Sequence, residues 1–331
     1  MNITVNQNKK GIDDFINIFK SNSIIGRTDI EELFNSESHE KLVISIGKNV
    51  GLTEKKQWID LFYEAYNLNL KSECYTGNDV VKINMISPII WAIKNIDKLD
   101  DYTNRIIEII DKNEYLEKTF EYLPTINHDI NINMNYYIFM YNASVYENDI
   151  FMDVAFATRL SEPQLNSLLA HEMHHYLKDS IDISTESKPE YKDVIRAICT
   201  LENEGTADMC SFHGLCHLYE DFGWMEKGIL NEVLNNSTEY INILNRKLKD
   251  RLINNDDTIK IYDFIMGNQI VHPLGYKMAS DIENYLGIDV LKECTGKPLE
   301  FILKFNLSFE LSTGKKAFDQ QVIDKLYFIF N

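Results

Sequence analysis

Proline is scarce in this 331-residue chain, at 6 residues, and no Gly/Ser-rich linker, fixed-period repeat or low-complexity tract interrupts it. Subdomain boundaries can therefore be drawn only softly. Basic residues are also short, with 33 Lys and Arg against 51 Asp and Glu, a net charge of −18. Such a surface repels phosphate backbones and anionic lipid, so nucleic-acid and anionic-membrane partners are excluded and basic peptides weakly favoured. No apolar run approaches the roughly eighteen residues of a membrane span, and residues 1–10 lack the apolar core of a secretory signal. Five cysteines, Cys74, Cys199, Cys210, Cys216 and Cys294, form an odd set without a disulfide framework. That suits a reducing compartment, and the expected location is the cytoplasm.

What remains is 44% hydrophobic, enough to bury a sizeable core. Residues 12–122 repeat helix-like apolar spacings, among them Trp58-Leu61-Phe62-Ala65-Tyr66 and Ile106-Ile107-Ile109-Ile110. Segments 135–141 and 150–157 are rich in aromatic and β-branched residues and read as strands. An edge strand there can take up an extended peptide by strand addition. It can equally be a small sheet that only packs a helix. The expected fold is mainly α with a small β-sheet (α+β): a helical N-terminal region over 1–125, a core over 126–220 and a helical C-terminal subdomain over 221–331.

The most informative segment is His171-Glu172-Met173-His174-His175. At about 100° per residue, His171 and His175 project from one helical face toward a common point, as two ligands of a zinc ion do. Glu172 projects to the side, where a carboxylate can take a proton from water activated by the metal. The surrounding segment predicts a buried helix: Ser161 and Gln164 have capping-box spacing, Pro163 suits a first turn, and Leu165, Leu168, Leu169, Met173, Tyr176 and Leu177 surround it with apolar positions. Two buried histidines bonded to carbonyls are the plainer alternative. His174 also competes for the metal, but it would place Glu172 less well, so His175 is the expected ligand and His174 a pocket residue or a support behind the ligands.

Two histidines leave zinc under-coordinated, so a third ligand is expected downstream. Glu204-Gly205-Thr206-Ala207-Asp208 follows the apolar positions Val194, Ile195, Ala197, Ile198 and Leu201, a second helix beginning near Pro189. Glu204 is the expected ligand, and Asp208, one turn on, the acceptor for a ligand histidine's outward N–H. Glu202 competes but points about 200° away from Glu204. Small Gly205 and Ala207 would let this helix approach the first closely. A solvated acidic face is the alternative in so acidic a chain.

With these residues in place, the chain resembles the gluzincin class of zinc metallopeptidases, through His171-Glu172-x-x-His175 with Glu204-x-x-Ala207-Asp208. The segment 272–279 and the later Gly296-Lys297-Pro298, with Leu299, Phe301, Ile302 and Phe305, are similar to bacterial zinc-dependent peptidases. The resemblance covers roughly residues 120–310 and implies a zincin-like catalytic core, one Zn2+ per chain, a peptide or protein substrate and Glu172 as general base. It also implies a donor for the developing oxyanion from the C-terminal half, for which His272 and Tyr276 are the candidates. A turn at Pro273 and Gly275 that merely starts a helix is the alternative there. The expected activity is zinc-dependent peptide hydrolysis; hydrolysis of another amide or ester, and a non-catalytic zinc-containing peptide-binding protein, stand as alternatives. Cys210, His213 and His217, with Cys216 adjacent, share a helical face and could hold a second metal, although continuation of the Glu204 helix into the core is the simpler expectation. Oligomeric state is not legible in the sequence.

Overall fold

The structure, a computed structural model, describes residues 2–21, 24–77, 79–179 and 188–331. About 70% of the described residues are helical, and among them is a small four-stranded sheet, in agreement with a mainly α fold. None of the described helices is long and apolar enough to cross a membrane. The chain forms two compact units: Met1–Glu114 with Asn127–Leu168, and Tyr115–Ile126 with Leu169–Asn331.

In the first unit the apolar repeats of the N-terminal region form helices, among them Lys10–Ser21, Arg27–Phe34, Glu37–Val50, Lys55–Leu70, Val80–Lys94 and Leu99–Ile110. Trp58, Leu61, Phe62, Ala65 and Tyr66, the spaced set of one of them, are all buried. The sheet contains β1 (Ile3–Asn8), β2 (Ile130–Tyr137), β3 (Ala143–Tyr146) and β4 (Asp149–Asp153), in the order β1-β2-β4-β3. β2 is parallel to both β1 and β4, and β3 runs antiparallel to β4.

This order corrects the strand-addition expectation. The two segments read as strands supply β2 and β4, which are interior and paired on both sides, while the edges are β1 and β3. Their C-terminal parts also leave the sheet: the Asp153 carboxylate accepts the Phe139 and Phe156 N–H groups, each at 2.7 Å, and caps a helical turn over Val154–Ala157. β1 arises in a stretch whose polarity gave no strand signal. It is tied to β2 by backbone pairing and by a side-chain amide bond from Asn8 Nδ2 to Asn135 Oδ1 at 2.8 Å.

His39 is a wholly buried histidine of this unit, with Phe34 and Tyr137 edge-on to its ring. Ser38 Oγ donates to Asp14 at 2.6 Å and lies 3.1 Å from His39 Nδ1. Burial pushes the imidazole down to about 4, with only Asp14 opposing. The unfolded chain therefore binds the proton first as pH falls. The contribution of His39 to stability should be constant above about pH 6.5 and decline through the window from 6.5 to about 4. The full loss is about 3 kcal/mol, because each tenfold change in proton affinity between folded and unfolded chain is worth about 1.36 kcal/mol. The ring resonances of His39 should titrate with a midpoint near 4 by NMR; a midpoint near 6.5 would show that the ring is not desolvated.

In the second unit the helix Lys192–Asp221 runs unbroken for 30 residues after a short turn at Pro189–Tyr191. It packs against the helix Val271–Leu286 around a cluster that includes Leu201, Leu274, Met278, Phe301 and Phe305. Glycine decides how close the two come. A methyl on Gly205 would sit 2.4 Å from the Gly275 carbonyl oxygen, and one on Gly275 would sit 2.8 Å from that of Leu201. Gly205 thus admits the helix Val271–Leu286, a different neighbour from the histidine helix expected from sequence.

Candidate metal centre

The histidine motif lies on the helix Glu162–Asp179, whose start is fixed as the sequence suggests: the Gln164 side-chain oxygen accepts the Ser161 N–H at 2.8 Å. His171 and His175, one turn apart, bring their Nε2 atoms within 3.0 Å of each other. Glu204, on the 30-residue helix, completes a triangle: its Oε2 is 3.3 Å from His171 Nε2 and 3.3 Å from His175 Nε2.

Those lengths can be tested against a metal. Four-coordinate zinc with N and O ligands at about 2.0–2.1 Å has tetrahedral edges of about 3.3–3.4 Å. The three edges here, 3.0, 3.3 and 3.3 Å, fit that geometry and leave one vertex open. Among the described residues, His171, Glu204 and His272 also form a looser group, with ligand atoms within 4.8 Å of one another. His272 Nδ1 is nevertheless 3.8 Å from Glu204 Oε2 and is engaged by Asp208 at 3.0 Å, so His175 closes the tighter set.

Behind the triangle, Asp208 is wholly buried and joins two imidazoles. Its Oδ1 lies 3.3 Å from His171 Nδ1, and its Oδ2 lies 3.0 Å from His272 Nδ1. The Tyr219 hydroxyl donates to Oδ1 at 2.8 Å, and Ser211 Oγ is 3.2 Å from His171 Nδ1. The outward nitrogen of His175 meets a different partner, Asn203 Oδ1, at 3.1 Å. Sequence reasoning missed Asn203, Ser211 and Tyr219. The latter two carried a signal: Ser211 is seven residues from Glu204 and Tyr219 eleven from Asp208, spacings that return to nearly the same helical face.

Other sequence candidates fall elsewhere. The His174 ring is buried near the Tyr122 backbone, and burial holds it well below the usual imidazole value. Glu202 is also buried and pairs with Lys178 at 2.8 Å, away from the ligand triangle. The ring of Tyr276 stacks on Phe212 at 3.8 Å, and its hydroxyl lies 3.4 Å from His213 Nε2. Cys210 is buried, whereas His213 and His217 are exposed. These three do not appear among the described metal-capable groups, and the helix does continue through them.

The electrostatics suit a cation. Burial disfavours the charged form of Glu204, yet the imidazoles of His175 and His171 hold it well below the usual carboxylate range. Burial likewise disfavours a charged His171, but Asp208 and Glu204 lift it well above its ordinary value. Burial pushes the Glu172 carboxyl up, and His171 and His175 pull it back. The buried carboxylates Glu204 and Asp208 favour positive charge beside them, which protons on the imidazoles supply without a metal and a divalent ion can supply in their place.

No curated protein and no solved structure gives a significant match to the chain. Residues 30–312, most of the chain, match the family described as "Putative zinc dependent peptidase (DUF5700)", and the chain belongs to that family.

Proposed function

We propose that the chain is a gluzincin-type metallopeptidase in which His171, His175 and Glu204 hold one zinc ion and Glu172 is the general base. The observation that carries this reading is the triangle of ligand atoms, with edges of 3.0, 3.3 and 3.3 Å. When bound, zinc lowers the pKa of water and polarises a carbonyl. Glu172, buried and with its carboxyl pushed up, takes the proton of the attacking water and returns it to the leaving amine. Asp208 accepts at His171 Nδ1, so that Nε2 can give its lone pair to a metal ion held between it and Glu204.

His272 rather than Tyr276 is assigned the oxyanion donor role. Burial opposes its charged form, but Asp208 raises it, so the ring can carry hydrogen on both nitrogens. Nδ1 is committed to Asp208, and Nε2–H is then available to a developing negative charge. The Tyr276 hydroxyl is instead beside His213. The proposed substrate is a peptide or protein chain.

The test is elemental analysis of purified protein, prepared without added metal, beside Glu204→Ala. About one zinc per chain is expected in the wild type, as in a three-ligand catalytic site, with loss in the variant. Zinc retained without Glu204 would move the third ligand elsewhere. No metal in either protein would remove the hydrolase reading.

A further inference from the structure

Lys178 ends a row begun by the two motif histidines: His171, His175 and Lys178 are spaced i, i+4 and i+7 and share one face of their helix. Its side chain is almost wholly buried, and its Nζ has two partners on the neighbouring long helix. One is Glu202 Oε2 at 2.8 Å, a carboxylate with no exposed surface. The other is Asn203 Oδ1 at 3.0 Å, the same oxygen that lies 3.1 Å from His175 Nδ1. Glu202 is itself held through Oε1 by the Gly296 N–H at 2.9 Å. Gly296 reaches it with φ +73°, in the left-handed region, where the chain turns toward the helix Pro298–Thr313.

A buried ion pair is a poor source of stability, because desolvation cancels much of the attraction. This pair has a second consequence. An amide side chain can present either its oxygen or its NH2 group to a neighbour, and an ammonium can only donate. Lys178 therefore obliges Asn203 to turn its oxygen toward the shared space. Facing that oxygen, His175 Nδ1 must carry a hydrogen, so a ring with a single hydrogen has its lone pair on Nε2. Glu204 Oε2, 3.3 Å from Nε2, pulls the other way, since a carboxylate would accept a hydrogen there. Without Lys178 the Asn203 amide can turn over, offer NH2 to Nδ1 and let the hydrogen settle on Nε2.

We propose that Lys178, braced by Glu202 and the Gly296 N–H, is a positioning residue for the metal centre: through Asn203 it fixes the tautomer of His175 and keeps Nε2 ready for a metal ion. The metal half of this inference rests on the zinc-site reading above. The tautomer half belongs to the chain alone.

The test begins with metal-stripped wild-type protein, using long-range 1H–15N correlation of the histidine rings, with pH raised until the spectrum itself reports a single hydrogen on His175. His175 should be in the Nδ1–H form. An Nε2–H form overturns the proposal without any variant. The double variant Lys178→Met/Glu202→Gln removes both charges together, which avoids stranding a buried carboxylate, and Lys178→Arg retains a donor. In the double variant the tautomer should change and zinc affinity, read by competition with a chelator, should fall about 10–100-fold. Lys178→Arg should keep the wild-type tautomer and most of the affinity. A folded double variant with wild-type tautomer and affinity overturns the proposal; if it does not fold, the wild-type tautomer and Lys178→Arg still decide. Failure of the wild type to bind zinc at all would sink the proposed function instead, and would leave the tautomer result standing.

Discussion

Glu172→Gln is expected to lower peptide turnover by about 10²–10⁴-fold, the usual worth of a general base, while zinc content stays at one per chain. Glutamine keeps the size of the side chain and its place on the helix but cannot take a proton from water. Metal content should hold because the three atoms that form the triangle belong to His171, His175 and Glu204. Turnover is best read against a mixed peptide library by mass spectrometry, with zinc measured on the same preparations. Loss of zinc in this variant would make Glu172 a ligand. Undiminished cleavage would remove it from the reaction.

Gly205→Ala should destabilise the protein although it improves the local helix propensity. In an exposed helix interior this exchange gains about 1 kcal/mol. Here the added methyl would lie 2.4 Å from the Gly275 carbonyl oxygen and 2.6 Å from its carbon, both main-chain atoms that no rotamer change can move aside. The helices Lys192–Asp221 and Val271–Leu286 must separate, and overpacking of that kind costs about 1–3 kcal/mol, which outweighs the propensity gain. The same separation draws His272 from Asp208, to which it is joined at 3.0 Å. A displacement near 1 Å would cost activity by about 10²-fold. Gly267→Ala is the control, because a methyl there meets nothing within 4 Å. Denaturant midpoints should fall for Gly205→Ala and hold or rise for Gly267→Ala. A more stable Gly205→Ala would mean that the helix crossing is looser than described.

Much of the candidate site's geometry was legible because a helix encodes its own faces. His171 with His175, and Glu204 with Asp208, are pairs one turn apart, and their convergence within each pair needs only the helical repeat. The same rule sets Ser211 near the Glu204 face and Tyr219 near the Asp208 face, but a serine and a tyrosine carry no metal-site signature, so sequence reasoning missed them and only the distances to His171 and Asp208 reveal them. Glu202 and Glu204 were separable for the same reason, and in the structure they do point to different partners.

Contacts between elements were another matter. β1 is polar, and only pairing with β2, 127 residues away, makes it a strand, with the Asn8–Asn135 amide bond as part of the tie. The expected edge strand proved interior because register and strand order depend on every strand at once. His272 and Tyr276 looked equivalent in sequence, four apart on one helix. The crossing at Gly205 and Gly275 sets the helix so that His272 meets Asp208, 64 residues back, while Tyr276 lands on Phe212 and His213.

The amino-acid sequence by itself determined the helical character, the acidic charge and which side chains could face a metal from each of two helices, since those follow from local periodicity and composition. Only the tertiary structure decided which helices cross, which buried acid meets which base, and which nitrogen of each histidine faces inward, because those depend on main-chain approach distances and on partners far apart in the chain.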